Sequence, residues 1–414
     1  MTTYNLSLGY LADDLSQELP EIWNLKDRFE HTYMIGKTGM GKSSLLEHMA
    51  SYDIDKDIAV IFIDPKGDSC KKLYHLTKDK SRIHYISIAS PMVINPLDKE
   101  GYKLDNLIQE FIQILDVLIT LTASNPESTV LMREIIYRAM HSITKEEDKN
   151  LDYLTKFLLY ADVRKQLKDN LRADSELRKY WDEFDGIKGK IPKNNQRVEC
   201  AQRLASRLIE ISTGEMKDFV VGKNELDISY IVNNNKVVLV DTSRMNRNSR
   251  IYLTNLIVYS VLSYCDFAKD KKKPLMVYVD EFQIVVSDLF ADLLARSRGS
   301  NIGFTLAHQN FQQIPRSILG SIFGNVGTSI CFRCGDEEAK RLSGIFGIKA
   351  TNLFNLPKYQ AWARIGTNNS LFETYPPKAI TESLEDIPIT LPQKQPDLTL
   401  NLDFNFLGDN WTNF

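Results

Sequence analysis

Eight consecutive residues, Gly36-Lys37-Thr38-Gly39-Met40-Gly41-Lys42-Ser43, satisfy the phosphate-loop pattern G-x-x-x-x-G-K-[ST] at every constrained position. The pattern imposes a local fold. A buried strand must end, the chain must curl through glycines, and a helix must begin. The flanks agree: His31-Thr32-Tyr33-Met34-Ile35 reads as a short buried strand, and Ser43 to Met49 as the first turns of a helix. In such an arrangement the backbone N–H groups from Gly36 to Ser44 and the positive end of the helix face the phosphates of a nucleotide. Lys42 would reach the β- and γ-phosphates and the Ser43 hydroxyl would hold Mg²⁺, so the implied cofactors are ATP and Mg²⁺.

Strands alternate with helices on either side of this loop, which implies an α/β fold with a largely parallel central sheet and ligands at its carboxyl edge. Ile58 to Ile63 is a second buried strand, stopped by Asp64-Pro65-Lys66-Gly67-Asp68. Ile83 to Ile88 is a third and leads to Asn95-Pro96-Leu97. Val237 to Asp241, Leu275 to Val279, Ile302 to Leu306 and Thr328 to Arg333 continue the series. Ala361 to Ile365 and Leu371 to Tyr375 read as a late hairpin. The texture changes in between: from about Lys103 to Gly222 apolar residues recur at helical spacing, as in Leu107, Phe111, Ile114, Leu115 and Leu118.

The expected organisation is therefore a lead-in over residues 1–30 and a nucleotide-binding domain formed from 31–102 and 223–376. An all-helical domain over 103–222 is inserted within it, and a tail over 377–414 follows. From Glu382 to Phe414 the tail carries six acids against one lysine, a composition suited either to docking on a partner or to lying along its own domain.

Charge and cysteine content narrow the function. A net charge of −3 excludes coating of nucleic acid through overall basicity, so any such contact must be local. Lys188, Lys190, Lys193, Arg197, Arg203, Arg207 and the run Lys271-Lys272-Lys273 are the local candidates, each equally readable as a solvated face. Five widely spaced cysteines suit a reducing compartment, and the cytoplasm is the expected location. Cys331-Phe332-Arg333-Cys334 has C-x-x-C spacing, but as a strand it would point its thiols to opposite faces, which argues against a metal site. No secretory signal and no membrane span is expected. The most apolar windows, Ile108 to Ala123 and Ile251 to Phe267, are short of about 20 apolar residues.

A phosphate loop needs a carboxylate for its metal and a base for water. The apolar strand Leu275 to Val279 delivers Asp280 to the active edge as the Mg²⁺ partner of Ser43, and Glu281 to orient or deprotonate water. The strand Ile302 to Ala307 ends in His308-Gln309-Asn310, making Gln309 a candidate sensor of the γ-phosphate and His308 a supporting residue. Arg296, Arg298, Arg333 and Arg341 are candidates for an arginine that reaches a neighbouring subunit's nucleotide.

Gly36 to Ser44, Asp64 to Asp68, Asn95-Pro96-Leu97, Asp280-Glu281-Phe282-Gln283, Arg296 to Gln309, and Gly324 to Thr328 with Phe332-Arg333 occur in a fixed order. Together this set resembles the type IV coupling proteins, the TraG/TraD-type DNA-transfer ATPases of the HerA–FtsK superfamily. The resemblance spans residues 31 to 375. It implies a RecA-like P-loop NTPase with an inserted all-α domain, a homohexamer with ATP sites between subunits, and DNA as the transported partner. Carried over by motif, Lys42 and Ser43 bind nucleotide and metal, Asp280 and Glu281 form the second motif, and Gln309 is the sensor. Arg298 is the trans-acting arginine, and Arg333 occupies a recurrent Phe-Arg position. Many coupling proteins carry N-terminal transmembrane helices, and these are not read here. A relaxase, or a secretion-system protein that recruits the motor to the membrane, is the implied partner. Alternatives are an ATPase that energises protein export or assembly, a repair or packaging motor, and an ATP-dependent scaffold.

Overall fold

The computed structural model describes residues 4–12, 14–18, 23–98, 104–122, 130–143, 149–169, 171, 175–186, 196–267, 273–284 and 288–380. The acidic part of the tail from residue 381 onward lies outside the described residues.

The chain opens with four short strands, β1 (Asn5–Leu6), β2 (Gly9–Leu11), β3 (Asp14–Glu18) and β4 (Trp23–Asn24), and the single-turn helix α1 (Leu25–Arg28). Strand β5 (Thr32–Ile35) leads through the glycine loop into α2 (Lys42–Asp55). Next come β6 (Ala59–Asp64), α3 (Asp68–Leu76) and β7 (Ile83–Ile86). A run of helices follows: α4 (Leu104–Thr122), α5 (Val130–Ile143), α6 (Leu151–Leu159), α7 (Ala161–Asp169), α8 (Glu176–Phe184), α9 (Gln196–Ser212), α10 (Lys217–Val220) and α11 (Ile228–Asn233). The sheet resumes with β8 (Val237–Asp241), α12 (Arg247–Phe267), β9 (Leu275–Val279), α13 (Asp288–Ser297) and β10 (Ile302–His308). After these come α14 (Arg316–Asn325), β11 (Thr328–Cys331), α15 (Asp336–Phe346) and α16 (Ala350–Phe354). The hairpin β12 (Gln360–Ile365) and β13 (Asn368–Thr374) closes the described chain.

Eleven strands form one sheet in the order β3-β2-β13-β12-β11-β5-β10-β9-β6-β8-β7. From β11 to β7 every pairing is parallel. From β11 outward to β3 every pairing is antiparallel. The parallel strands are covered on both faces, which is why β5, β6, β8, β9 and β10 are buried along their whole length and read as continuous apolar runs. The first residues are more than a lead-in, because β2 and β3 extend the sheet beyond the terminal hairpin. That hairpin turns at Gly366-Thr367, tighter than the gap of 366–370 between the strands read from the sequence, with Gly366 at φ +59°.

In the helical run, Leu107, Phe111, Ile114 and Leu115 are all buried on α4, as their period predicts. On α9 the buried positions Cys200, Ala201, Leu204, Ala205, Leu208 and Ile211 mark one face by the same spacing. One apolar cluster runs from Ile61, Ile63 and Val238 on the sheet through Leu253 and Ile257 on α12 to Phe111, Leu154 and Trp181 among the helices. The opposite face of the sheet packs on α2 and α3 through Leu46, Met49, Phe62 and Leu73.

The C-x-x-C segment departs from expectation. Strand β11 stops at Cys331 and the chain bends, so that the two Sγ atoms lie 3.7 Å apart instead of on opposite faces. Both thiols are free and buried. Among the described residues no group of three or more His, Cys, Asp or Glu side chains is arranged to hold a metal.

Candidate functional site

Strands β5, β6, β9, β10 and β11 end side by side, and the loops that leave them build one cleft. Gly39 and Gly41 in the first loop have φ of +77° and +121°, conformations that glycine takes at no steric cost. A Cβ on Gly41 would meet Phe332 Cε1 and Tyr359 Cδ1 at 3.0 Å each, so the loop lies tightly against the residues after β11 and before β12. Backbone bonds fix that contact: Lys37 N–H donates to the Arg333 carbonyl at 2.8 Å, and Tyr359 N–H to the Met40 carbonyl at 2.9 Å. Helix α2 begins with no side-chain cap, which leaves its first N–H groups for an anion. Lys42 folds over the loop and donates to the carbonyls of Gly36 at 2.5 Å and Lys37 at 3.1 Å. Burial lowers its pKa, against the pull of Asp280 and Glu281.

Asp280 leaves the end of β9 directly below the loop. Its Oδ2 accepts from the Ser43 hydroxyl at 3.0 Å, and it is 3% exposed. Burial and the neighbouring Glu281 both raise its pKa. Glu281 has φ of +49°, a left-handed conformation costly for a residue with a side chain. The turn aims its carboxylate into the same cleft. Gln309, just past β10, donates Nε2 to Glu281 Oε1 at 2.9 Å and Oε2 at 3.1 Å, while its own Oε1 accepts from the Thr38 hydroxyl at 2.9 Å. Thr38, Gly39, Gly41, Lys42, Ser43, Ser44, Asp280, Glu281 and Gln309 thus line one cleft. Gly36, Lys37 and Met40 shape the loop behind it.

Three lining residues carried no role in the sequence reading: Lys66, Lys358 and Tyr359. Lys66 Nζ lies 2.5 Å from Glu281 Oε1. Its position follows from Asp64 at the end of β6, whose carboxylate accepts the N–H groups of Lys66 and Ser69 at 2.8 Å each. Burial pushes the Asp64 carboxyl up to about 6, with those backbone bonds opposing. Gly67 completes the turn at φ +81°, where a Cβ would sit 2.5 Å from Asp241 Oδ1. The signal for Lys66 was a lone cation in a turn that ends a buried strand. Tyr359 had none, because its place comes from an antiparallel strand remote in sequence.

The arginines separate. Arg333 stays beside its own loop, with Nε and Nη2 at 3.1 and 3.0 Å from Met40 Sδ. Arg298 is exposed and donates to the Asn325 carbonyl at 2.6 Å. It precedes β10, so the full seven-residue strand, about 20 Å, separates it from the carboxyl edge of its own sheet. Arg341 stacks on Phe311 and Phe323, an internal packing role. His308 is fully buried beside the Tyr33 hydroxyl, and burial pushes its pKa down to about 3, so it supports the strand end as a neutral ring.

Of the basic candidates, Lys188, Lys190, Lys193, Lys271 and Lys272 lie outside the described residues. Arg197 pairs with Glu183 at 3.5 Å and covers the Tyr180 ring, and Lys273 donates to the Asn233 carbonyl at 2.6 Å. Arg203 is exposed and Arg207 half-buried, both on α9.

Comparison with known proteins bears on the whole arrangement. A sequence profile described as the central domain of the helicase HerA matches residues 18–261, more than half the chain. A second, described as the TraM recognition site of TraD and TraG, matches residues 274–369. The DNA import protein CedB of Sulfolobus acidocaldarius is 24% identical over 338 residues, 80% of this chain and 48% of CedB. The chain therefore spans about half the length of that curated relative. Plasmid coupling protein TrwB, solved with the non-hydrolysable ATP analogue ADPNP, has a TM-score of 0.65 at 12% identity, covering 94% of this chain and 92% of TrwB. VirB4 of Thermoanaerobacter pseudethanolicus has a TM-score of 0.62 at 14% identity, covering 91% and 97%. At these identities the two structures share the fold, a RecA-like P-loop core with a mostly parallel sheet. No helix among the described residues is long and apolar enough to cross a membrane.

Proposed function

Because the chain belongs to the HerA central-domain family, we propose that it is a P-loop ATPase that drives the transfer of DNA, in the manner of a coupling protein. The observation that carries the reading is the convergence of Ser43, the adjacent pair Asp280 and Glu281, and Gln309 from three separate sequence segments on one cleft under an uncapped helix terminus. CedB is named for DNA import and TrwB as a plasmid coupling protein, and DNA is the element their names share.

ATP is the nucleotide and Mg²⁺ the metal. Ser43 and Asp280 fit the ion, since a hydroxyl and a carboxylate oxygen 3.0 Å apart form a hard-oxygen pair, and a cation there offsets two adjoining buried acids. When bound, it supplies neutralisation of charge on the β- and γ-phosphates. Lys42 exchanges its loop carbonyls for phosphate oxygens, and the N–H groups opening α2 hold the phosphate chain in place. Glu281 orients the attacking water and takes its proton. Gln309 touches both Thr38 and Glu281, so filling of the loop is felt at the base. Arg298 is out of reach of its own cleft, which supports an arginine acting on a neighbouring subunit's nucleotide within a homohexamer. Arg203 and Arg207 are candidate phosphate contacts for DNA, and a relaxase or a membrane-anchored secretion protein is the proposed partner.

The test is ATP turnover of the purified chain with and without DNA, beside Glu281→Gln. DNA should raise the rate of the wild type, and the variant should bind ATP but turn it over only at a small residual rate. A rate indifferent to DNA would remove DNA transfer from the reading.

A further inference from the structure

Both oxygens of the Glu281 carboxylate are held. Oε1 accepts from Lys66 Nζ at 2.5 Å and Gln309 Nε2 at 2.9 Å, and Oε2 accepts from Gln283 Nε2 at 2.7 Å and Gln309 Nε2 at 3.1 Å. Lys66 is the one charged donor to it among the described residues. The two amides are neutral and the adjacent acid, Asp280, repels it. Glu281 also sits on left-handed backbone, so its main chain does not rest in a minimum that would fix the side chain unaided.

Lys66 is suited to the task by how it is mounted. Its backbone N–H is pinned by buried Asp64, and the following Gly67 occupies a position closed to larger residues by Asp241. The head of the side chain is half exposed and lines the cleft, so it is not a packing element. A rigid base carrying a long, charged, mobile arm is the arrangement expected of a group that sets another group's direction.

We propose that Lys66 is the positioning residue of this site, aligning the Glu281 carboxylate toward the water it activates, while Lys42 serves the nucleotide. The inference rests on the ATPase reading and extends it. Charge-assisted hydrogen bonds are short and directional, and misplacing a base costs rate without weakening ground-state binding. Loss of Lys66 therefore falls on kcat and not on KM.

The experiment measures kcat and KM for ATP with saturating DNA in Lys66→Met, Lys66→Arg, Glu281→Gln and the double variant Lys66→Met/Glu281→Gln. Thermal melts confirm that each is folded. Lys66→Met keeps the apolar stem and removes the charge. It should lower kcat by about 10- to 100-fold with KM within twofold of wild type, a loss in the range of a misplaced acid–base group. Lys66→Arg should recover most of the rate, and Lys66→Met should cost nothing further once Glu281 is Gln. A raised KM at unchanged kcat, or an independent loss in the double variant, overturns the inference and leaves the ATPase reading standing. Wild-type turnover by Glu281→Gln overturns the base assignment and the inference with it.

Discussion

Two polar clusters join helix α2 to the end of strand β9, one at each end of the helix, and they are built in opposite ways. Near the carboxyl end, Arg28 pairs with Asp53 through both guanidinium nitrogens, and the Tyr278 hydroxyl bonds to both. Arg28 and Asp53 are 4% and 0% exposed. At the amino end, two residues further along β9, Ser43, Asp280, Glu281, Lys66 and Gln309 converge on a cleft that opens to solvent. The first cluster is closed, with its charges spent on each other. The second holds Lys42 against loop carbonyls, partners that phosphate oxygens can replace, and Lys66 against the Glu281 carboxylate. One cluster fixes the position of the helix, and the other uses that position for chemistry.

Lys42→Ala should abolish turnover while the protein stays folded, because the phosphate ligand is lost and the core on both faces of the sheet is kept. ATPase assays and a thermal melt check both halves. DNA-stimulated turnover that survives would remove the functional half of the comparison. Arg298→Ala should reduce turnover by on the order of 10³-fold if it completes a neighbour's site. Mixing it with Lys42→Ala protein should restore part of the rate, since some subunit junctions would then carry both groups. A mixture as inactive as its parts would place Arg298 outside the reaction.

At the closed cluster the effect is on stability. Asp53→Asn leaves Arg28 as an uncompensated buried charge, at a cost of about 3–5 kcal/mol in unfolding free energy. Denaturant titration measures it, and KM for ATP at low temperature should stay near wild type. A KM change larger than the stability loss would mean that the two ends of α2 are coupled.

The smallest effect concerns pH. His31 accepts from the Phe304 N–H through Nδ1, which assigns the proton to Nε2, near the Leu294 carbonyl. Burial holds its pKa at about 4 against an ordinary 6.5. A depressed pKa means that the folded state binds fewer protons, so the stability is present above about 6.5 and lost as pH falls toward 4. Between pH 7 and pH 5 the loss from His31 is about 2 kcal/mol. His308 adds a loss of the same sign. His31→Asn suits the φ of +62° at that position and should flatten the slope, as read by urea midpoints across the range.

The strands of the parallel sheet were legible because burial on both faces leaves an unbroken apolar run, as in Ile58 to Ile63 and Leu275 to Val279. The helical run between β7 and β8 was legible through its period. Strands β2 and β3 were not, since short edge strands such as Asp14–Glu18 carry little apolar pattern and exist because β13 offers them a ladder. The bend after Cys331 was missed for a related reason. Strand propensity does not say where pairing stops, and that was set by the end of β5 and by the packing of Phe332 on Gly36.

Sequence alone determined the phosphate loop, the acidic pair after β9 and the polar residue after β10. Each is written in a contiguous stretch whose backbone requirements are local. Tertiary structure decided what those pieces are to one another. That Glu281 meets Lys66 and Gln309, that Arg333 stays with its own loop while Arg298 lies at the far edge, and that Tyr359 closes over Gly41 are consequences of strand order. A parallel sheet brings together the ends of strands that are distant in the chain, so which side chains share a cleft depends on the order of β11, β5, β10, β9 and β6 and cannot be read within any one of them.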